Sequence, residues 1–199
     1  MIKKIIVIIT LFISVASFAQ KNNASAYSFF GIGDKNNSNT VEQISMGGIG
    51  VSLNDQFRLN FSNPASLSSL KFTTYALAIE NRNIWAKDKQ DNEQGAATYL
   101  SYLAMGIPLG ENAGMSFGLL PNTSVGYSLV ANSFNSSDEL IEISSYNGEG
   151  GTNKVFLGVG FQIFEGFSVG LQGNYIFGKI ENNITNQLKD VALATKYET

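Results

Sequence analysis

From Lys71 onward the chain alternates, and the chemistry of the two alternating faces constrains the fold more than any other feature. Met115, Phe117 and Leu119, then Val125, Tyr127 and Leu129, fall on odd positions against Gly114, Ser116, Gly118, Ser124, Gly126 and Ser128. Val155, Leu157, Val159, Phe161 and Ile163 stand against Gly158, Gly160 and Gln162. Phe167, Val169, Leu171, Tyr175 and Phe177 stand against Ser168, Gly170, Gln172 and Asn174. A period of two makes these strands, each with one apolar face. The second face carries Gly, Ser, Asn and Gln, where a soluble sandwich would show water Lys, Glu and Thr. Charged residues are 15% of the chain, against about 25% in ordinary soluble domains. Apolar residues toward lipid and small or polar ones toward a lumen describe a membrane barrel. The predicted fold class is therefore all-β, an antiparallel transmembrane β-barrel, with a soluble secreted β-sandwich as the alternative.

Five crossings are legible, within 72–82, 97–109, 114–129, 155–163 and 167–177, and a sixth could begin in 184–199. The turns Gly110-Glu111-Asn112 and Glu165-Gly166 are short, whereas 86–95 and 132–153 are long and polar. Bacterial barrels have short periplasmic turns and longer extracellular loops, which places the long pair outside. With both short turns on one side, Leu140 to Tyr146 cannot be a crossing of its own. It is expected as a β-extension or hairpin above the membrane, ended by Gly148-Glu149-Gly150-Gly151. Single-chain bacterial barrels have an even count of eight or more, so residues 71–199 read as the N-terminal portion of a larger barrel. Tyr75, Trp85, Tyr99, Tyr127, Tyr175 and Phe177 are candidates for interfacial aromatic girdles, some of them instead for ordinary lipid-facing or lumen packing positions.

The first residues read differently. Lys3 and Lys4 precede an apolar run from Ile5 to Ala16 and a small-x-small end at Ser17-Phe18-Ala19. That is the pattern of a secretory signal peptide over 1–19, and the run falls short of the roughly 20 residues that span a bilayer. Residues 20–70 form a polar lead-in and a compact segment with neither regular period. Within it Gly47, Gly48 and Gly50 allow positive φ and close backbone approach. Asn63-Pro64-Ala65 fixes a tight corner, because Pro64 locks φ and pushes Asn63 out of the α region. This segment is expected to be a plug followed by strands.

The order of these parts resembles the FadL/TodX family of outer-membrane transporters for hydrophobic compounds, in the form found in Bacteroidetes-type bacteria. The likeness runs over about 27–179. It lies in the export signal, the Gly-rich Met46-Gly47-Gly48, Asn63-Pro64-Ala65, and the alternating strands. It implies a 14-stranded barrel with an N-terminal hatch, about half of whose strands would lie beyond this sequence. It also implies passive uptake of hydrophobic small molecules such as long-chain fatty acids, with lateral exit at a kink in the third strand. Here Pro121 and Asn122 stand in the middle of the third crossing, and a proline cannot donate to a ladder. A break in the wall there, with Asn63-Pro64-Ala65 packed beside it, is one reading; an ordinary bulge is the other. None of the family's ligand-contacting residues aligns with this chain.

Enzymatic chemistry finds no support. Two Gly-x-Ser-x-Gly matches, Gly114 to Gly118 and Gly166 to Gly170, sit inside alternating strands rather than at a strand-to-helix turn. The chain has no histidine and no cysteine, which removes an activating imidazole, the commonest zinc ligands and any disulfide or cysteine-linked lipid. Asp88, Asp91 and Glu93, or Asp138, Glu139 and Glu142, match no calcium-loop spacing. Gly48-Ile49-Gly50 lacks the third glycine and the helix of a dinucleotide site. A net charge of -3 speaks against nucleic acid. The expected role is a cofactor-free outer-membrane channel. Its partners would be membrane lipids, lipopolysaccharide and a hydrophobic ligand. The alternative is an accessory barrel of the same kind that meets a protein-secretion machinery.

Overall fold

The computed structural model describes residues 25–87, 92–136, 139–188 and 194–199. The expected signal peptide lies outside the described residues. The structure is all-β, a single antiparallel sheet laid down in chain order with an N-terminal segment packed on one face. A two-residue strand β1 (Asp34–Lys35) and a short helix α1 (Val41–Ser45) belong to that segment, with 3₁₀ turns at Ala26–Phe29 and Pro64–Ser69. The sheet follows as β2 (Thr74–Lys87), β3 (Asn92–Pro108), β4 (Ala113–Phe134), β5 (Leu140–Phe164), β6 (Phe167–Leu188) and β7 (Ala194–Glu198). No helix among the described residues is long and apolar enough to cross a membrane.

The five expected strands are β2 to β6, and the sixth is β7, paired with β6 from Asn183↔Glu198 to Gln187↔Ala194. Several boundaries differ from the sequence reading. The stretch 86–95 is not a wide loop, because β2 runs to Lys87 and β3 starts at Asn92. Nor is 132–153 a loop: β4 continues to Phe134 and β5 is unbroken over 25 residues from Leu140. Leu140 to Tyr146 is not a separate strand but the first part of β5. Gly148 to Gly151 do not end it. A Cβ on Gly150 would fall on the Lys179 carbonyl and one on Gly151 on the Thr123 carbonyl, so these glycines let neighbouring backbones close over β5. Polar composition misled here because ladder hydrogen bonds hold these strand ends without an apolar face.

The two faces of the sheet are inverted relative to a soluble protein. Tyr75, Leu77, Ile79, Leu157, Ile163, Leu171 and Tyr175 are exposed, Leu171 to 75% and Ile79 to 70%. The buried side holds Ala78, Tyr102, Ala104, Leu120 and Phe156, joined by Leu59, Phe61, Leu67 and Leu70 of the N-terminal segment. Phe61 meets Tyr102 edge-on at 5.1 Å and Phe156 at 5.5 Å. On β6 the outward apolar run from Phe167 to Phe177 covers about 33 Å of strand. Tilted by about 40°, that corresponds to the roughly 25 Å apolar band of an outer-membrane wall. Above it stands the exposed ion pair Lys179–Glu181 at 2.5 Å.

Of the four register shifts in the ladders, two fall in mid-strand and reset the alternation there. β2 and β3 slip between Ala78↔Tyr102 and Ile79↔Leu100, which leaves Ser101 over. β4 and β5 slip between Pro121↔Asn153 and Thr123↔Thr152, which leaves Asn122 over. Each extra residue reverses which parity faces inward. Tyr99 and Tyr127 consequently leave the girdle candidates for the inner face. Tyr99 is buried there and its hydroxyl accepts from Arg82 at 2.7 Å. Tyr127 packs on Phe29 at 5.1 Å and donates to Asn182 Oδ1 at 2.9 Å.

Candidate functional site

The N-terminal segment is fixed to the sheet by backbone. Asn63 caps the 3₁₀ turn Pro64–Ser69, its Oδ1 accepting from Ala65 N at 3.1 Å, with Pro64 in the first position where its missing N–H costs nothing. That turn lies across a row of inner-face glycines. A Cβ on Gly170 would fall on Pro64 C and Ala65 N, one on Gly160 on the Pro64 carbonyl, and one on Gly114 on the Leu67 carbonyl. Gly106 likewise leaves room for Leu59 and Leu70. Ser68 Oγ donates to Ser168 Oγ at 3.0 Å and ties the turn to β6. At Gly114, Gly160 and Gly170 the sheet puts no side chain between itself and the backbone of the segment.

The Gly-rich loop is held from inside by amide side chains. Gly47 and Gly48 take φ of 76° and 81°. Asn60 Nδ2 donates to Gly50 O at 2.6 Å and to Leu53 O at 3.1 Å. Its Oδ1 accepts from Gln43 Nε2 at 2.9 Å, from Ser62 N at 3.0 Å and from Asn63 N at 3.2 Å. Asn63 Nδ2 donates to Val51 O at 2.8 Å. Gln43 completes a capping box with Thr40 at the start of α1. Gln43 and Asn60, both buried, went unnoticed in the sequence. Thr40-x-x-Gln43 is a readable capping-box signature, whereas nothing local marks Asn60 among so many asparagines.

Beside Pro121 the sheet parts. β3 pairs with β4 only from Pro108↔Gly114 to Leu103↔Leu119, although it pairs with β2 up to Asn92 and β4 pairs with β5 up to Phe134. Pro121 offers no N–H at the level where β3 leaves. The edge of β4 beyond it is taken up by the N-terminal segment. β1 pairs Asp34↔Ser124 and Lys35↔Thr123, Asn36 N donates to Asn122 O at 2.9 Å, and Gly126 N donates to Ser28 Oγ at 3.0 Å. The stretch read as an irregular lead-in thus contains a strand, too short for any periodicity to reveal.

The expected neighbours are not brought together. Pro121 stands opposite Asn153 on β5, while Asn63-Pro64-Ala65 sits over Gly160 and Gly170. Seven residues of strand, about 23 Å, separate Asn153 from Gly160. The corner packs near the short turns, and β1 packs by Pro121 in its place. Ser116 and Ser168, of the two Gly-x-Ser-x-Gly matches, lie within β4 and β6. Asp88, Asp91 and Asp138 lie outside the described residues. Among the described residues no three His, Cys, Asp or Glu groups converge.

No curated protein and no solved structure matches the chain. One protein-family model does, that of BamG, and its match runs over residues 1–199. The chain belongs to the BamG family, and with it to the proteins associated with the outer membrane.

Proposed function

We propose that this chain is a non-enzymatic accessory protein of the outer-membrane assembly machinery. In this reading the sheet is part of a membrane-spanning β-barrel wall whose lumen the N-terminal segment fills. The observation that carries the proposal is the inverted sheet with its backbone-seated plug. Apolar residues face outward where lipid would cover them, and the inner face carries glycines that leave no space between plug and wall. A plug seated backbone on backbone at Gly114, Gly160 and Gly170 suits a scaffold better than a gate, since at those points no side chain can turn aside to open a path. Family membership points the same way. Partners would meet the rim or the strand ends beyond the apolar band, and no covalent step or cofactor enters.

Affinity purification of the tagged protein from outer membranes in mild detergent tests this. Stoichiometric recovery with the machinery that inserts barrel proteins is the expected result. A protein recovered alone, or released without detergent as a soluble sandwich would be, overturns it. A second reading, passive uptake of hydrophobic small molecules with exit near Pro121 and Asn122, is favoured by the parting of β3 from β4. Uptake of a labelled fatty acid that falls on deletion, with outer-membrane protein assembly intact, would favour that reading.

A further inference from the structure

Above β1, one edge of β4 stands without a partner strand. β1 covers Thr123 and Ser124, Asn36 N donates to Asn122 O, and Gly126 N donates to Ser28 Oγ. β3 has left the ladder lower down, at Leu103↔Leu119. In an antiparallel ladder the backbone groups of successive residues alternate between the two edges of a strand. The edge that Gly126 turns to Ser28 is therefore the one to which Ser128, Val130 and Asn132 turn both N–H and C=O. Tyr127, Leu129 and Ala131 turn theirs to β5, where they pair with Gly148, Tyr146 and Ser144. Among the described residues no backbone group meets the N–H and C=O of Ser128, Val130 and Asn132.

This edge has none of the usual protection. From Asn122 to Phe134 the chain carries no charged residue and no proline, the devices with which natural sheets keep other chains off an edge. The two slips of the β4–β5 ladder lie at its ends, at Pro121/Thr123 and Ser133/Phe134, so between them the edge is regular. Ser128 and Val130 to Phe134 are exposed, Val130 to 65%. An uncharged, regular, exposed edge is a template for another strand. That it accepts one is visible in β1, which lies on the same edge directly below.

The direction and chemistry of an occupant follow from the same ladder. β1 runs antiparallel to β4, and a strand that continues its line upward does the same. The face of Tyr127, which packs on Phe29, also carries Leu129 and Ala131. Cross-strand neighbours on that face are best apolar, and those beside Ser128, Val130 and Asn132 small or polar. We propose that the edge of β4 from Ser128 to Asn132 is a docking site for an extended strand of a partner protein, uncharged and apolar at alternate positions, added antiparallel to β4 above β1. Main-chain hydrogen bonds hold such a strand, and its alternate side chains select it. The site rests on the ladder alone; neither the membrane nor the assembly machinery enters it.

The test uses the full chain in detergent and, as probe, the end-blocked peptide of residues 155–163, an uncharged alternating strand. Amide hydrogen exchange, read residue by residue, locates the peptide on the chain. Exchange at Ser128, Val130 and Asn132 is expected to slow at least tenfold with the peptide, and to stay unchanged with the same peptide N-methylated on both edges. A Ser128→Pro, Val130→Pro double variant removes two donors from the free edge and leaves the ladder to β5 its own. Read at Asn132, it should lose at least tenfold in affinity for the peptide while Leu129 and Ala131 stay protected. If that variant fails to fold, Val130→Lys, which sets a charge on the edge, is read in the same way. No slowing at Ser128, Val130 and Asn132, or affinity unchanged in the variants that fold, overturns the site. So do amides at these three residues that exchange as slowly as Leu129 and Ala131 in the chain alone, because the chain itself would then close the edge. Failure of the assembly-machinery reading would appear in the affinity purification and leave these exchange rates as they are.

Discussion

Gly160→Ala is the sharpest perturbation of the plug. The added Cβ falls on the Pro64 carbonyl, with Leu67 Cβ at 3.0 Å and Ser68 N at 3.1 Å. None of these is the end of a flexible side chain, and β5 is held by ladders to β4 and β6, so the turn Pro64–Ser69 must lift. Lifting it draws out Leu67 and Leu70, now 3% and 1% exposed. Overpacking of this kind costs about 1–3 kcal/mol. At 1.4 kcal/mol per decade, the lifted population grows about 5- to 150-fold. Because the chain has no cysteine, Ser68→Cys gives a single thiol at a residue that is 1% exposed. Its labelling by a soluble maleimide, under conditions where opening is in equilibrium, reads that population. Gly173→Ala is the control, since a Cβ there meets nothing within 4 Å. The labelling rate is expected to rise 5- to 150-fold in Gly160→Ala and to stay put in Gly173→Ala. Equal rates in the two would refute the seating of the plug on glycine.

Further outcomes follow from the same contacts. Asn60→Leu deletes two donations to the Gly-rich loop and three acceptances. A local loss of about 2–4 kcal/mol is expected, visible as faster limited proteolysis within 46–57; an unchanged cleavage pattern would show that the loop is held otherwise. Leu171→Arg distinguishes lipid from water outside the wall. Against lipid it costs about 2–4 kcal/mol near the bilayer midplane, against water less than about 0.5 kcal/mol, and urea titration in lipid vesicles separates the two. Pro121→Val restores an N–H where β3 leaves β4. If this is an exit, fatty-acid uptake falls; undiminished uptake in a folded variant removes that reading.

How much of this was legible follows from where the information resides. The strands and their apolar faces were readable because alternation is local, and the short turns because Gly110 and Gly166 must adopt positive φ, here 90° and 82°. The facing of Tyr99 and Tyr127 was not, since one surplus residue, Ser101 or Asn122, inverts parity without leaving a compositional mark. Pro121 announced an irregularity, but its neighbour could not be inferred. What fills the space is β1, two residues whose only qualification is that they can pair with Thr123 and Ser124. The glycines of the inner face were visible as a small-residue face. That they serve as a seat depended on a partner more than forty residues upstream in the case of Gly114 and Leu67.

Plug and wall do not depend on each other equally. The wall's hydrogen bonds run strand to strand, and its exposed apolar residues face away from the plug. Its inner face at Gly114, Gly158, Gly160 and Gly170 has almost no side chain with which to make a core of its own. The plug, by contrast, has a five-residue helix and a six-residue 3₁₀ turn as its longest regular pieces, far below the length at which a helix stands alone in water. Its apolar anchors Leu59, Phe61, Leu67 and Leu70 share their cluster with Ala78, Tyr102, Ala104, Leu120 and Phe156, all of them on strands. Burial of those four anchors is the main apolar gain open to the plug, and it exists only once β2 to β5 are in place. The plug therefore needs the wall, while the wall needs chiefly its paired strands and, in the membrane-spanning reading, lipid outside. That asymmetry fits a scaffold built first and filled second.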